Sequence, residues 1–439
     1  MAKSDIAAAR QAFDSLLGEA ASTLVAKRYE EAARLVQNAA DAAFHRHPGI
    51  FSSREAESML REISEACLPA IPPRKVRSPE DRPHVLHVLT LAFSIGGHTR
   101  LVRRWIENDS GRCHSVVLTQ QLSVPVPEWL AKSVASSNGQ MWSLDETHDL
   151  IEKARTLREL GQDFDTIVLH IHPFDAVPLI AWGGSTTHPP VIHLNHADHL
   201  FWMGVSICDV NANIRQSGYR TSIRRRGLSQ DANVVLPIPL GEGDQPPPSR
   251  KEARAQLELA EDCQVALTVA SSYKFNVVGE MDYVKLHLPL LERCPKLQII
   301  VVGPSLEKNY WEECFRLTEG RIRAVGEQLE LANYYAAADV YVDSTPFGSL
   351  TSMLDAGLAG VPCCSWRPHT PSSGASVLAC DDIAFDGLKN AVAYDDREKY
   401  WEQLSTYLND TTAAALASQE LRANIIRYHT GKGWQTSLN

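Results

Sequence analysis

Hydroxyl and carboxylate side chains follow a strand end and a glycine turn in the segment DSTPFGSLTSMLDAGLAGVP, where a short helix is predicted. The free N–H groups and the dipole of a helix N-terminus favour an anion such as phosphate. Asp355 lies one turn beyond Thr351 on the same face, where a carboxylate suits ribose hydroxyls. This spacing predicts a nucleotide site; an ordinary turn with an N-capping Ser or Thr is the alternative. The predicted binding residues here are Gly348, Ser349, Thr351, Ser352 and Asp355.

A cationic candidate follows the apolar strand QVALTVASS, earlier in the same half of the chain. Lys274 lies just past this strand, where its ammonium would neutralise charge on a diphosphate. Ser272 is a further candidate for the same phosphate site. Gln328, after the predicted strand IRAVGE, is expected to meet the nucleotide base through backbone atoms. A lysine at a strand end is often only a surface residue, so this prediction depends on the hydroxyl-rich turn.

The first half of the chain offers a glycine turn and a group of histidines. Gly97 and His98 open a helix directly after a strand, so Gly97 lets a ligand approach the backbone and His98 would touch the diphosphate or the acceptor. His196 and Asp198 follow the strand VIHLN, at the end where catalytic groups are expected. An imidazole with a pKa of about 6.5 accepts a proton near neutral pH, so we predict His196 as the base, then Asp198, then His199. A tight turn and histidines packed at strand ends are the structural alternatives.

A metal site is a further reading of the histidines, and the spacing does not favour it. His170, His172 and Asp175 could in principle ligate zinc, since the two histidines share one face of a strand. The second carboxylate–histidine step of a binuclear hydrolase motif is missing. We therefore predict no metal ligands and a reaction that needs no divalent ion.

Apolar strands that alternate with helical segments must position these groups. The strands HVLHVLTLAF, HSVVLTQ, DTIVLHIH, VIHLNHA and DVNANI fall in residues 84–240, and QVALTVASS, LQIIVVGP, IRAVGE, DVYVDST and PCCSW fall in residues 250–410. Such alternation is typical of doubly wound α/β domains with parallel sheets. Ligands bind beyond the carboxyl ends of these strands, so we predict two Rossmann-like domains that face a cleft.

Helical segments flank the two predicted domains. Residues 1–75 are rich in Ala, Glu and Arg at helical spacing and predict a small all-helical N-terminal region of three helices. Pro-rich linkers follow this region and, as GEGDQPPPSR, separate the two domains. Residues 411–439 predict one long C-terminal helix that packs back on the first domain.

Composition excludes several classes of protein. A chain of 439 residues with 44% hydrophobic and 22% charged residues is typical of a globular protein of two or three domains. The net charge of −10 argues against a nucleic-acid binder. The sequence has no long apolar run and no signal-peptide core, so we expect no membrane span. Nine cysteines without a CxxC pair indicate buried, reduced thiols in a cytoplasmic protein.

Residues 84–432 resemble the GT-B class of nucleotide-sugar glycosyltransferases. ALTVASSYKF is similar to the phosphate-binding strand end of that class, RAVGEQLELANYYAAADVYVDS to the stretch that passes the base, and DSTPFGSLTSMLDAGLAGVP to the diphosphate turn. The resemblance extends to O-GlcNAc transferase and the bacterial adhesin N-glycosyltransferases, which carry an Asp at the place of Asp355. Retaining members carry a pair of Glu residues, the first of which would fall on Phe347, and this departure favours the inverting subgroup. The tetratricopeptide canopy of O-GlcNAc transferase is absent.

The resemblance implies a metal-independent, inverting hexosyltransferase without a separate cofactor. It would use a UDP-linked sugar donor and a protein or glycan acceptor, whose proton His196 or a neighbour would accept. The N-terminal helices would serve a protein partner or a homo-oligomer. Three alternatives stay open: a nucleotide-sugar epimerase of the same fold, a metal hydrolase, and a non-catalytic partner of a glycosyltransferase, which the missing carboxylate at Phe347 allows.

Overall fold

Two parallel β-sheets, one in each of two units of the chain, dominate the structure. The computed structural model describes residues 3–70, 81–94, 96–185, 187–241, 247–307, 309–367 and 392–438. The first unit is Met1–Pro239 and the second is Leu240–Asn439. Neighbouring strands within each sheet pair in parallel, so the predicted α/β class is confirmed.

The first unit begins with the predicted helices, which are α1 (Lys3–Val25), α2 (Tyr29–His45) and α3 (Arg54–Cys67). Ser53 caps α3 by accepting a hydrogen bond from the N–H of Ala56 at 3.2 Å. Glu30 of α2 accepts hydrogen bonds from the N–H groups of Leu150 and Ile151 in the following α/β part. The buried apolar residues of the three helices belong to the same core as those of the sheet. The helical region is therefore built into the first unit.

Seven strands form the first sheet. They are β1 (His84–Leu89), β2 (Cys113–Leu118), β3 (Met141–Ser143), β4 (Thr166–His170), β5 (Val191–Asn195), β6 (Val210–Asn213) and β7 (Asn233–Val235). Their order is β3-β2-β1-β4-β5-β6-β7. The helices that alternate with them are α4 (Gly97–Asn108), α5 (Glu128–Ser136), α6 (Leu150–Gly161), α7 (Val177–Trp182) and α8 (Gln216–Arg226).

Six strands form the second sheet: β8 (Gln264–Val269), β9 (Leu297–Val302), β10 (Ile322–Ala324), β11 (Val340–Val342), β12 (Cys363–Trp366) and β13 (Val392–Tyr394). Their order is β10-β9-β8-β11-β12-β13. The helices of this unit are α9 (Arg250–Gln256), α10 (Tyr283–Arg293), α11 (Asn309–Leu317), α12 (Ala332–Ala337), α13 (Leu350–Leu358), α14 (Arg397–Asn409), α15 (Thr411–His429) and α16 (Gly431–Leu438).

The order of the strands reverses at one point in each sheet. In the first sheet the chain runs outward from β1 to β3 and then returns to place β4 on the other side of β1. In the second sheet it runs outward from β8 to β10 and returns to place β11 beside β8. The loops that follow these strands diverge at such a point and leave a crevice, which is where doubly wound sheets bind ligands.

The structure differs from the sequence-based expectation in its shortest strands and in its tail. The three-residue strands β3, β7 and β13 were not foreseen. The predicted single C-terminal helix is two helices, α15 and α16, separated at Thr430, whose backbone is extended. Ile425 and Leu421 of α15 pack closely on Gly357 of α13, within the second unit. Packing of the tail on the first domain stays a prediction.

None of the helices in the described ranges combines the length and the apolar character that crossing a membrane requires.

Candidate functional site

A buried carboxylate organises the turn after β11. Asp343 Oδ1 accepts hydrogen bonds from the N–H groups of Ser344 at 2.8 Å and Ser349 at 2.7 Å. Its Oδ2 accepts one from the Ser365 hydroxyl at 3.2 Å and pairs with the Arg367 guanidinium. These four contacts fold residues 343–349 into a closed turn that delivers the start of α13. The sequence analysis missed both Asp343 and Arg367.

The helix α13 begins at the hydroxyl-rich sequence, as predicted. Ser349 precedes its first turn, but the Ser349 side chain makes no capping hydrogen bond. Its hydroxyl lies 3.1 Å from the hydroxyl of Ser352. Thr351, Ser352 and Asp355 are partly buried on α13. Ser349 therefore does not cap α13 as the alternative reading would have it, and its hydroxyl instead pairs with that of Ser352.

Lys274 meets this turn from the other side of the crevice. It lies in a short 3₁₀ helix, Ser272–Phe275, that follows β8. Its Nζ donates a hydrogen bond to the carbonyl of Gly348 at 2.9 Å, and its own carbonyl accepts one from the N–H of Phe347 at 3.3 Å. The structure thus brings together Lys274 and the turn before α13, which are far apart in sequence.

A cavity of about 700 Å³ lies in the second unit beside β8. This volume is in the range of small-molecule sites, about 300–1,000 Å³. Ser272 lines it, and its hydroxyl also contacts the carbonyl of Gly303 at 3.4 Å. Gln328 lies after β10 and donates a hydrogen bond to the carbonyl of Val325 at 2.9 Å. The cavity is also lined by Ser271, Phe275, Tyr310, Trp311 and Glu327.

Replacing Gly348 with Ala is expected to destabilise the second unit. An added Cβ would lie 1.9 Å from the Arg367 Nη2 and 2.7 Å from Asp343 Oδ2, so the guanidinium must leave its carboxylate. Overpacking of this kind costs about 1–3 kcal/mol, and urea denaturation measures the loss in free energy of unfolding. Gly111→Ala is the matched control, because an added Cβ there meets nothing within 4 Å. Equal stability of the two variants would contradict the close packing at Gly348.

In the first unit, three imidazoles gather at the point where the strand order reverses. The ring centroid of His98 lies 4.4 Å from that of His196 and 6.2 Å from that of His172. Burial, together with the neighbouring imidazoles, lowers the pKa of His196 from 6.5 to about 4 and that of His98 well below 6.5. These imidazoles are therefore neutral at pH 7. Two of the three predicted catalytic residues, His98 and His196, lie together here, and Gly97 lies exposed at the start of α4.

Three more histidines form a buried series across neighbouring strands. His87 of β1 is hydrogen-bonded to His170 of β4 and to His114 of β2, with both nitrogen–nitrogen distances 2.9 Å. The Nε2 atom of His114 lies 2.9 Å from the carbonyl oxygen of Asp109. The ring of His170 lies 6.4 Å from that of His98. Burial lowers the pKa of all three imidazoles.

Asp198, the third predicted catalytic residue, pairs with an arginine and not with His98 or His196. Its carboxylate accepts two hydrogen bonds from the guanidinium of Arg215, each of 2.5 Å, and is only 3% exposed. His199 Nδ1 lies 3.3 Å from the same carboxylate. The Arg215 guanidinium holds the pKa of Asp198 well below its usual range. A carboxylate bound in this way is better suited to positioning the loop after β5 than to accepting a proton.

Within the described parts of the chain, no group of three or more His, Cys, Asp or Glu side chains has the arrangement of a metal site. The histidines instead bond to one another or pack against aromatic rings, as His193 does on Trp202 with 4.1 Å between ring centroids.

Solved structures share this fold over most of the chain. A Thermobaculum terrenum O-GlcNAc transferase mutant matches 96% of this chain and 80% of its own, at 14% identity and a TM-score of 0.59. Anabaena HepE, solved in complex with UDP and glucose, matches 80% of this chain and 97% of its own, at 14% identity and a TM-score of 0.57. A Listeria monocytogenes protein assigned as a UDP-N-acetylglucosamine 2-epimerase matches 82% and 95%, at 10% identity and a TM-score of 0.50.

The fold is that of the GT-B glycosyltransferases, which confirms the fold expected from the resemblance. At identities of 10–15%, the similarity to these structures is one of fold. No family model matches the sequence, and no curated protein matches it.

Proposed function

We propose that this chain transfers a sugar from a nucleotide-diphosphate sugar, with UDP as the carrier, to a protein or glycan acceptor. The reaction inverts the configuration at the anomeric carbon of the sugar and needs no divalent ion. The observation that carries the proposal is the contact between Lys274 and the turn before α13, because it sets a cation beside a helix N-terminus at the crevice of the second sheet.

The second unit holds the donor in this proposal. Breaking the glycosidic bond leaves negative charge on the diphosphate, which the Lys274 ammonium and the first N–H groups of α13 stabilise. Asp355, one turn into α13, accepts hydrogen bonds from the ribose hydroxyls. The remaining proposed contacts are to the phosphates from Ser272, Gly348, Ser349, Thr351 and Ser352, and to the base from the backbone near Gln328.

The first unit handles the acceptor in this proposal. A neutral His196 accepts the proton that the acceptor loses on attack, and His98 contacts the acceptor or the diphosphate from the start of α4, beside Gly97. With a pKa of about 4, His196 is a weak base in the free protein. Asp198 positions the loop that carries His196 through its ion pair with Arg215.

A nucleotide-sugar epimerase is the second candidate function, and the match to the Listeria protein favours it. An epimerase isomerises the sugar of the donor without an acceptor. Analysis of the products separates the two functions. A transferase releases one UDP for each sugar that it transfers, whereas an epimerase leaves the sugar attached to UDP.

The first experiment is a thermal-shift screen of nucleotides and nucleotide sugars, because a ligand that binds only the native state raises the melting temperature. UDP and one UDP-sugar are expected to raise it, and UDP release is then measured with candidate acceptors. Excess EDTA is expected to leave the rate unchanged, because Lys274 and the helix N–H groups supply the positive charge. Strong inhibition by EDTA would contradict metal independence, and no shift with any uridine nucleotide would contradict the proposed donor.

A further inference from the structure

The loop after β5, residues 196–206, carries His196, and a glutamate of the N-terminal helices binds the end of this loop. Glu57 of α3 accepts hydrogen bonds from three consecutive N–H groups near the end of this loop, those of Gly204 at 2.9 Å, Val205 at 3.1 Å and Ser206 at 2.6 Å. These N–H groups open a short 3₁₀ helix, Val205–Ile207. One carboxylate therefore binds the start of this turn to α3.

The helical region holds the middle of the same loop by further contacts. The N–H of Trp202 donates a hydrogen bond to the carbonyl of Phe51 at 3.2 Å. The ring of Phe201 packs edge-on against that of Phe13 of α1, with 5.3 Å between centroids. The guanidinium of Arg226 lies over both Phe51 and Trp202 and donates hydrogen bonds to the carbonyls of residues 198 and 200. The loop thus has partners in the helical region from Phe201 to Ser206, and Arg226 of α8 holds the part before it.

The carboxylate of Glu57 is buried, which is unusual for a glutamate. Glu57 is 4% exposed, and burial raises its pKa, while the three N–H donors oppose that rise. A buried carboxylate is retained only where several donors satisfy it, and donors that lose their acceptor in the interior are costly. The loop itself contains only this one short turn of regular structure, so its conformation depends on the partners that bind it.

We infer that the N-terminal helices act as a clamp on the candidate catalytic loop, with Glu57 as a positioning residue for His196. The role in turnover rests on the proposed function, whereas the clamp itself does not. An imidazole displaced by about 1 Å can lose on the order of 100-fold in rate. The helices of residues 3–67 are then part of the catalytic apparatus of the first unit and not only a surface for a partner.

Glu57→Gln tests the clamp, because the amide keeps the shape of the side chain but presents a donor where the Ser206 N–H needs an acceptor. We expect kcat to fall about 10- to 100-fold with little change in KM for the donor or in the thermal shift given by UDP. Hydrogen exchange at residues 196–206 is expected to accelerate. Glu55→Gln is the matched control, since it removes the same charge from an exposed position on the same helix. Glu57→Asp retains the charge and is expected to restore part of kcat.

Hydrogen exchange tests the clamp, and kcat tests the positioning role of Glu57. Exchange over residues 196–206 that is the same in Glu57→Gln and Glu55→Gln overturns the clamp, and unchanged kcat overturns the positioning role. If Glu57→Gln does not fold, Phe13→Leu keeps an apolar core residue while it loosens the contact with Phe201, and it must show the same faster exchange. Faster exchange in Glu57→Gln together with no turnover by the wild type supports the clamp and contradicts the proposed function.

Discussion

Replacing Lys274 with Ala is expected to lower turnover of the nucleotide-sugar donor by about 100-fold or more. Removal of one preorganised group that stabilises developing negative charge typically costs about 10²–10³ in kcat. Lys274 is such a group in the proposed reaction, because its Nζ lies 2.9 Å from the Gly348 carbonyl beside the start of α13. Initial rates of UDP release, measured over a range of donor concentrations, give kcat and KM separately.

Two companion variants make the Lys274 result specific. Lys274→Arg keeps the positive charge and is expected to retain more activity than Lys274→Ala. Lys251→Ala removes a lysine whose side chain is 84% exposed in the same unit and is expected to leave turnover unchanged. Wild-type activity in Lys274→Ala, with the fold intact by circular dichroism, would remove the phosphate role and with it the main support for the proposed function.

Acidification from pH 7.5 to pH 5 is expected to lower the free energy of unfolding of this protein by several kcal/mol. Burial lowers the pKa of His193 to about 3 and that of His287 to about 4, from 6.5. Below pH 6.5 the unfolded chain binds protons at these histidines and the native protein does not, so stability is lost between pH 6.5 and about 4. For a group like His287 the loss at pH 5 is about 2 kcal/mol.

Urea denaturation at several pH values measures this loss. Burial raises the pKa of Glu57 and Asp175, and a raised carboxyl pKa acts in the opposite direction, because it favours the native state as the pH falls. His287→Gln is expected to flatten the dependence of the second unit on pH. A constant free energy of unfolding between pH 7 and pH 5 would contradict neutral, buried histidines.

The sequence was sufficient for the parts of the fold and site that depend on local pattern. Alternation of apolar strands with helices predicted the parallel sheets. The positions of the strand ends predicted that Lys274 and the turn at Gly348 belong to one site, and the two are in contact. The strands β3 and β7 bury at most one side chain each, so they give no apolar pattern and were missed, whereas β10 and β11, of the same length, bury more and were predicted. The sequence placed His98 and His196 separately at strand ends, and the structure brings their ring centroids to 4.4 Å.

Pairings between distant side chains were beyond the sequence. The ion pair of Asp343 with Arg367 joins the ends of two strands, and nothing in either segment names its partner. Asp198 followed a strand as a catalytic acid or base would, and only the structure shows that Arg215 occupies its carboxylate. His87 and His114 lie within apolar strands, and nothing in either strand predicts a contact between their side chains. Such contacts depend on strand order and register, which one sequence specifies only through the complete fold.

The series of histidines in the first sheet leaves no choice of tautomer. His114 Nε2 faces only oxygens of Asp109 that can accept, so it must carry a hydrogen, and its bare Nδ1 receives the Nε2–H of His87. His87 Nδ1 in turn receives the Nε2–H of His170. The N–H groups of these neutral imidazoles all donate in the same direction along the series, from His170 to His87 to His114 to Asp109. The unshared electron pair at His170 Nδ1, which has no hydrogen-bond partner among the residues that the structure describes, is therefore an available acceptor in the interior of the first unit.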